Sequence, residues 1–336
     1  MNNCFISECS VNNLANLMSR TSAGLGDGST VSTGDEPLDC CPVSTIYGAV
    51  ELGGTKTSYA VGSTPEDLTD VHTIPTTDPS KTLDDVVHYL SRNSIEAVGI
   101  ASFGPVELRR ESAEFGHITV TPKEGWSGAD LVGRFERSLK VPIGFDTDVN
   151  GAALGEWKWG AGQGLASFVY VTVGTGIGGG AVIEGIPIHG LGHPEMGHIS
   201  VRRHPDDVYV GTCRLHGDCL EGLASGPAIE GRFGVAGDRL SADDRDRATR
   251  LEAFYLTQLV RNLIYILAPE RVILGGGVSQ MPGLLEMVGG SLAAELSGYP
   301  GLEEHAKGFV VPPGLGGLSG LAGGLVLAAT AATSSS

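Results

Sequence analysis

The chain changes character at Ile46, where short apolar runs begin to alternate with amphipathic stretches. Apolar runs of about four to eight residues bounded by glycine or proline predict strands, whereas apolar positions repeating every three to four residues predict helices. The predicted strands cover residues 46–50, 58–61, 95–101, 141–145, 167–173, 181–183, 271–274 and 309–311. The predicted helices cover residues 83–90, 131–139, 151–159, 220–233, 251–267 and 317–330. Strands that alternate with helices in this way predict an α/β fold.

Two of the predicted strand pairs are joined by glycine-rich turns, in residues 51–57 (ELGGTKT) and 174–180 (GTGIGGG). The tip of such a hairpin exposes backbone N–H groups that can bind phosphate oxygens. Neither turn is a Walker-type loop, because the sequence contains no GxxxxGK[ST] motif. Repetition of the hairpin predicts two similar α/β domains facing each other across a cleft. They are a small domain of residues 46–150, completed by the final helix 317–330, and a large domain of residues 151–316.

Composition and charge narrow the class of protein. The net charge of −17 argues against nucleic-acid binding, which depends on basic surfaces. Four of the six cysteines lie in the first 41 residues, so we do not expect a disulfide framework. The sequence instead predicts a reducing, cytoplasmic compartment. Residues 1–45 are polar and lack hydrophobic periodicity, which predicts a disordered extension without a secretory signal. The glycine-diluted final helix is too short to predict a membrane span.

Two of the predicted strands lead into glycine-rich residues suited to ligand binding. Ligands of open α/β sheets bind at the carboxyl ends of the strands. Strand 95–101 is followed by Gly104 and Pro105, and strand 271–274 by Gly275, Gly276 and Gly277. Glycines at such a position allow the backbone to approach a flat or anionic group such as a nucleotide.

Asp148 follows the predicted strand 141–145 and precedes a predicted helix. The surrounding sequence partly matches a calcium-binding EF-hand loop, but Trp157 occupies the position of the last ligand and Glu156 comes one residue early. A carboxylate between a strand and a helix could cap the helix or accept a proton from a hydroxyl group. We favour the proton acceptor.

The segment 193–221 contains a Cys-x-x-His-x-x-Cys arrangement formed by Cys213, His216 and Cys219. With His198 as a fourth ligand, these side chains match a structural zinc site, which is a closed tetrahedron of cysteine and histidine ligands. Two cysteines packed in a protein core would produce the same spacing. The carboxylates of Glu195 and Glu221 lie on either side of the cluster, which suggests that a metal orients polar groups toward a pocket.

Six segments in this order resemble the ROK family of sugar kinases, and within it the bacterial-type fructokinases: ELGGTKT, DTDVNGAALGE, VTVGTGIGGG, HPEMGHI, CRLHGDCLEGLASGPAI and ILGGGVS. The resemblance extends over residues 46–327. It implies an actin-like, ribonuclease H-like fold in which two α/β domains flank a nucleotide and sugar cleft. It also implies a homodimer and Mg²⁺-dependent transfer of phosphate from ATP to the 6-hydroxyl of a hexose, with D-fructose favoured.

The resemblance also implies a role for each matching residue. Asp148 matches the catalytic base. The implied substrate-binding residues are Gly104, Pro105, Asn150, Glu195, His198 and Glu221, of which Asn150 also fixes the catalytic loop. The implied zinc ligands are His198, Cys213, His216 and Cys219. The implied phosphate-binding residues are Gly53, Gly54, Thr55, Lys56, Gly174, Thr175, Gly176 and Gly178, and the adenosine segment is Gly275, Gly276 and Gly277.

Two alternatives stay open from the sequence. Thr147 before the catalytic aspartate favours fructose over glucose, but a broader kinase for glucose, mannose or N-acetylhexosamine would share the same motifs. A non-catalytic sugar sensor or repressor is disfavoured, because residues 1–45 contain no helix-turn-helix pattern and Asp148 and both glycine turns are present.

The metal prediction can be tested on the purified protein. After dialysis against metal-free buffer, elemental analysis should find about one zinc per chain, as expected for a closed Cys/His tetrahedron. A folded protein without zinc would contradict the metal site and favour the core-cysteine interpretation.

Overall fold

The computed structural model describes residues 45–68, 70–296, 298–299 and 308–334. The predicted disordered extension, apart from its last residue, lies outside this part of the chain. Every strand and helix predicted from the hydrophobic pattern is present, but the predicted helix 220–233 is two helices and the predicted helix 251–267 begins nine residues earlier, at Ala242. The α/β prediction is therefore confirmed.

The first sheet has the strand order β3-β2-β1-β4-β5. Strands β1, β2 and β3 form an antiparallel meander, and β4 and β5 extend it in parallel with β1. Helices α1 and α2 cover one face of this sheet, over a core that includes Trp126 and Phe135. The elements of this half are β1 (Tyr47–Leu52), β2 (Lys56–Gly62), β3 (His72–Pro75), α1 (Pro79–Leu90), β4 (Val98–Ser102), α2 (Val132–Leu139), β5 (Ile143–Thr147) and α3 (Asp148–Trp159).

The second sheet repeats the topology of the first. Its order is β10-β9-β6-β7-β8, again an antiparallel meander extended by two strands parallel to its first strand. The long helix α6 is the centre of its core. The elements of this half are β6 (Ser167–Val173), β7 (Ile177–Ile183), β8 (Ile186–Pro187), α4 (Leu220–Ala224), α5 (Gly226–Phe233), α6 (Ala242–Leu267), β9 (Val272–Gly275), α7 (Leu284–Glu295) and β10 (Val310–Val311). The last element that the structure describes is helix α8 (Ser319–Ser334).

The C-terminal helix α8 packs against strands β1, β4 and β5 of the first sheet and against helix α3. Glycines allow this approach: a Cβ atom at Gly99 of β4 would overlap the carbonyl oxygen of Gly324, and one at Gly323 would overlap that of Gly151. Backbone therefore meets backbone on both sides of α8. Helix α3 in turn contacts β6 and β7 of the second sheet, so the predicted domain boundary at residue 150 falls within a helix that touches both sheets.

This packing explains the apolar composition of α8. Among the described residues, Gly316–Ser334 is the one helical segment long and apolar enough to cross a membrane, with a mean hydropathy of 1.3. Core helices pass the same test, and 56% of the apolar window is buried inside the chain. Its small and apolar side chains are those that a close contact with a sheet requires.

The buried carboxylate of Glu156 joins the end of α3 to the start of α8. Its two oxygens accept hydrogen bonds from the N–H groups of Ala161, Gly314 and Leu315, at 2.7, 2.8 and 3.0 Å, and from the Ser319 hydroxyl at 2.6 Å. A buried charge is tolerated when it is hydrogen-bonded in this way. Glu156, which comes one residue too early to be the last ligand of a calcium loop, thus binds backbone and hydroxyl groups of its own chain.

The contact between α3 and α8 can be tested with two glycine-to-alanine substitutions. Gly323→Ala would force a methyl group into the backbone of Gly151, and overpacking of this kind costs about 1–3 kcal/mol. The matched control is Gly290→Ala in α7, where the space is open and alanine should stabilise the helix by about 0.5–1 kcal/mol. Urea unfolding measures the free energy of unfolding of both variants. Equal stability of Gly323→Ala and the wild type would contradict the contact.

Candidate active site

The carboxyl ends of three parallel strands meet at one edge of the first sheet. Leu52, Ser102 and Thr147 lie in one register row across β1, β4 and β5. The next residues along β1 and β5 are Gly53 and Asp148. Neighbouring strands lie about 4.8 Å apart, so these two residues are separated by two strand spacings, roughly 10 Å. The first glycine turn and Asp148 are therefore on the same edge.

Asp148 is the first residue of α3, but it is not the helix cap. The cap is Thr147, whose hydroxyl accepts a hydrogen bond from the N–H of Asn150 at 3.1 Å. Burial raises the pKa of the Asp148 carboxyl to about 7, and the negative charges of Glu51 and Glu195 add to the increase. A carboxyl group with a pKa near neutrality is suited to accept a proton from a hydroxyl.

A network around Asp146 holds the loop in front of α3. Its carboxylate accepts hydrogen bonds from the amide of Asn150 at 2.7 Å and from His189 Nε2 at 2.9 Å, and this contact with Asp146 raises the pKa of His189. Asn150 is 1% exposed. This geometry favours the loop-fixing role of Asn150 over direct contact with a sugar. The sequence interpretation missed Asp146 and His189, although Asp146 lies in the same DTDVN segment.

The first glycine turn presents an open tip. Gly53 closes the turn by donating its N–H to the carbonyl of Lys56 at 3.0 Å, and the Thr76 hydroxyl fixes the Gly53 carbonyl at 2.8 Å. Gly54, Thr55 and Lys56 are exposed. Among the described residues, the backbone N–H groups of Gly54 and Thr55 donate no backbone hydrogen bond, so this tip can bind an anion.

The second glycine turn is held by Glu221, which belongs to the segment that follows Cys219. The N–H of Gly174 donates to the carbonyl of Gly176 at 2.9 Å, and Thr175 is exposed at the tip. The carboxylate of Glu221 accepts the N–H of Ile177 at 2.9 Å. One oxygen of Glu221 is therefore committed to the turn, and the other accepts no hydrogen bond from the residues that the structure describes.

Gly178 differs from the other residues of the second turn. It lies within β7, paired with Thr172, and a Cβ atom there would be 2.9 Å from Val149 of α3. Its missing side chain is explained by this close packing of β7 against α3.

The turn after β9 lies against the base of the second glycine turn. Strands β6 and β9 are parallel neighbours, so their carboxyl ends share one edge of the second sheet. Gly276 has φ +87°, a conformation that favours glycine, and a Cβ atom there would collide with the backbone of Val173. Gly275 is buried, whereas Gly277 is exposed with open space beside it. The structure thus brings together the segments predicted to bind phosphate and adenosine.

Four side chains near the second sheet converge as metal ligands. One atom each from His198, Cys213, His216 and Cys219 lies within 4.8 Å of the others. His198 Nδ1 is 3.5 Å from the Cys219 sulfur and 3.7 Å from the Cys213 sulfur, and His216 Nδ1 is 3.8 Å from the latter. Tetrahedral zinc, with bonds of about 2.3 Å to sulfur and 2.05 Å to nitrogen, requires sulfur–nitrogen separations of roughly 3.6 Å. The cluster fits such an ion, and His198 faces both sulfurs with Nδ1.

The remaining sugar-side residues predicted from the sequence are Glu195, Gly104 and Pro105. Glu195 is exposed, and its charge acts on the Asp148 pKa. Gly104 and Pro105 are half-buried in the turn that follows β4. Glu51, which the sequence interpretation quoted only as part of a motif, is a second acid whose charge acts on Asp148, and burial raises its own pKa.

Comparison with known proteins identifies the family. The sequence profile of the ROK family matches residues 47–331. The chain is 43% identical over 293 residues to the fructokinase of Zymomonas mobilis, covering 85% of this chain and 97% of that protein. It is 41% identical over 272 residues to the fructokinase of Lactococcus lactis, covering 81% and 92%.

Solved structures agree with this assignment. The ROK hexokinase of Thermus thermophilus has a TM-score of 0.70 at 26% identity, covering 86% of this chain and all of that one (100%). A ROK glucokinase of Streptomyces griseus, solved with glucose and AMPPNP, has a TM-score of 0.67 at 25% identity, covering 85% and 99%. The predicted actin-like, ribonuclease H-like fold is confirmed by these likenesses, and the chain belongs to the ROK family.

Proposed function

We propose that this protein is an ATP-dependent fructokinase that converts D-fructose to D-fructose 6-phosphate. The observation that carries the proposal is the Asp148 carboxyl, with a pKa of about 7, on the sheet edge that also bears the first glycine turn. Fructokinases among the relatives support the choice of hexose.

Asp148 is proposed to accept the proton of the sugar hydroxyl as its oxygen attacks the γ-phosphorus. Phosphoryl transfer depends on positioning and on charge compensation more than on covalent chemistry by the protein. A base with a pKa near 7 is about half ionised at neutral pH and is basic enough to take the proton. Thr147 and Asn150 hold this carboxyl at the start of α3 through their hydrogen bond at 3.1 Å.

The two glycine turns are proposed to hold the phosphates of ATP. The open tip at Gly54 and Thr55 and the exposed tip at Thr175 present backbone donors, and Gly277 offers an open surface to adenosine. Magnesium bound with the nucleotide would neutralise the charge that builds up on the phosphate oxygens. Glu51 is the nearest acid on β1 that could support the ion.

Glu195, His198 and Glu221 are proposed to bind the sugar hydroxyls. Carboxylates accept hydrogen bonds from vicinal hydroxyls, and Glu221 has one oxygen left after binding Ile177. His198 joins two roles, because Nδ1 faces the cysteine sulfurs and Nε2 can face the substrate. Structural zinc in the Cys/His cluster would hold this wall in place.

The cellular compartment, the partners and the oligomeric state of the enzyme are also proposals. The acidic charge of −17 and the two cysteines arranged as metal ligands support a cytoplasmic protein that does not bind nucleic acid. The likeness to the ROK family supports a homodimer.

The base role of Asp148 predicts a specific pH profile. The carboxyl must be ionised to accept a proton, so kcat/KM for fructose should rise about tenfold per pH unit below its pKa of about 7 and level off above it. Asp148→Asn should lower kcat by about 10²–10⁴-fold while the chain stays folded. Initial rates between pH 5.5 and 8.5 measure the profile.

Asp238→Asn is the control for this experiment, because Asp238 is an exposed acid far along the chain on a short helix. It should keep the wild-type rate and profile. Near-normal turnover by Asp148→Asn would remove Asp148 from the base role.

The substrate assignment is tested by a coupled ADP-release assay with Mg-ATP and a panel of hexoses. Fructose should give a kcat/KM at least about tenfold above those of glucose, mannose and the N-acetylhexosamines, a difference of about 1.4 kcal/mol in transition-state binding. Comparable values for several sugars would favour the broader hexokinase. Absence of ADP release with every sugar would contradict a kinase and favour the sugar sensor.

A further inference from the structure

His193 connects two segments that come from different sheets. It follows the second meander, whereas its hydrogen-bond partner, the backbone N–H of Val106, belongs to the turn that follows β4 of the first sheet. The N–H of Val106 donates to His193 Nε2 at 3.2 Å. The His193 side chain is 12% exposed, so this bridge is largely shielded from water.

The ring of His193 also packs on Gly104. A Cβ atom at Gly104 would lie 3.3 Å from Cε1 and Nε2 of the ring, closer than an ordinary van der Waals contact. Glycine at this position lets the imidazole lie directly against the backbone. The turn that contains Gly104 and Pro105 is therefore held by His193 through a hydrogen bond and a close contact.

The other side of the ring faces Glu195. Because Nε2 accepts a hydrogen bond, the proton of the neutral ring is on Nδ1. Nδ1 lies 3.5 Å from Glu195 Oε1, a separation at which an N–H dipole attracts the carboxylate although no hydrogen bond is closed. One ring thus touches both the turn after β4 and the acid proposed to bind the sugar.

The backbone between these two side chains is stiff. Pro194 separates His193 from Glu195, and proline fixes its own φ and restricts the residue before it to extended conformations. Anchoring the His193 ring to Val106 therefore limits where the carboxylate of Glu195 can lie. Glu195 itself is exposed and accepts no hydrogen bond at its side chain that would fix it otherwise within the described residues.

We propose that His193 is a positioning residue for the hexose, which ties the Gly104–Val106 turn to Glu195 and sets the distance between two walls of the sugar site. The inference rests on the proposed function. It gives His193 a role in sugar binding without contact with the phosphates, so its loss acts on one substrate only.

The test compares His193→Ala with His193→Gln. Alanine removes the acceptor for Val106, and the KM for fructose should rise about five- to tenfold, while the KM for ATP stays within about twofold. Glutamine should restore most of the affinity, because its Oε1 can reach the position of Nε2 and accept the same N–H. Calorimetric titration with fructose in the absence of nucleotide should show the same order of affinities.

His88→Ala is the matched control, since His88 is an exposed histidine on α1. It should leave both KM values unchanged. An unchanged KM for fructose in His193→Ala, or an equal rise in both KM values with a lowered Tm, would overturn the positioning role.

A second variant approaches the contact from the other side. Gly104→Ala places a methyl group 3.3 Å from the His193 ring and should also raise the KM for fructose selectively, so the inference stays testable if His193→Ala does not fold. If neither variant raises the KM for fructose selectively, the positioning role of His193 is contradicted. Failure of the proposed function is seen separately, as absence of ADP release with fructose in the wild type.

Discussion

The structure depends on a contact in which backbone meets backbone. Helix α8 lies on the first sheet at Gly99, and α3 lies on α8 at Gly151 and Gly323, with no side chain between them. Such a contact cannot be adjusted by rotating side chains, because the surfaces that touch are peptide groups. Glu156 then closes one end by accepting hydrogen bonds from the start of α8. Helix α3 is therefore held in one position against the sheet.

That constraint decides where the proposed catalytic base lies. Asp148 is the first residue of α3, so fixing the helix fixes the carboxyl relative to the first glycine turn. The same end of α3 touches the second sheet, where Gly178 makes room for Val149 and Gly180 lies against the Asn150 amide. Burial raises the pKa of the carboxyl more than the hydrogen bond from the Val149 N–H lowers it, and Glu51 and Glu195 add negative charge near it. Packing thus produces both the position and the raised pKa of Asp148.

Local signals in the sequence predicted eight of the ten described strands, the two glycine turns and the Cys/His cluster, because each depends on residues close in the chain. The short strands β3 and β8 were missed. Helix α7 was missed, since Gly289 and Gly290 interrupt its apolar period. The start of α6 was placed nine residues too late, at residue 251 instead of Ala242, because its first turns are exposed and charged. Its cap, Ser241 accepting from the N–H of Asp244, was a usable signal. The bond of His189 to Asp146 had no local signal, because it joins residues 43 positions apart.

Glu221 connects the proposed sugar site with the turn proposed to hold phosphate. It stands two residues after Cys219, a member of the metal cluster, and its carboxylate binds the N–H of Ile177 at the base of the second glycine turn. Gly176 must lack a side chain there, since a Cβ atom would be 2.7 Å from the carboxylate. The acid proposed to orient the sugar thus also supports the turn proposed to hold phosphate. A shift of that turn on nucleotide binding would therefore move Glu221, and with it the proposed contact to the sugar, because the same carboxylate accepts the N–H of Ile177.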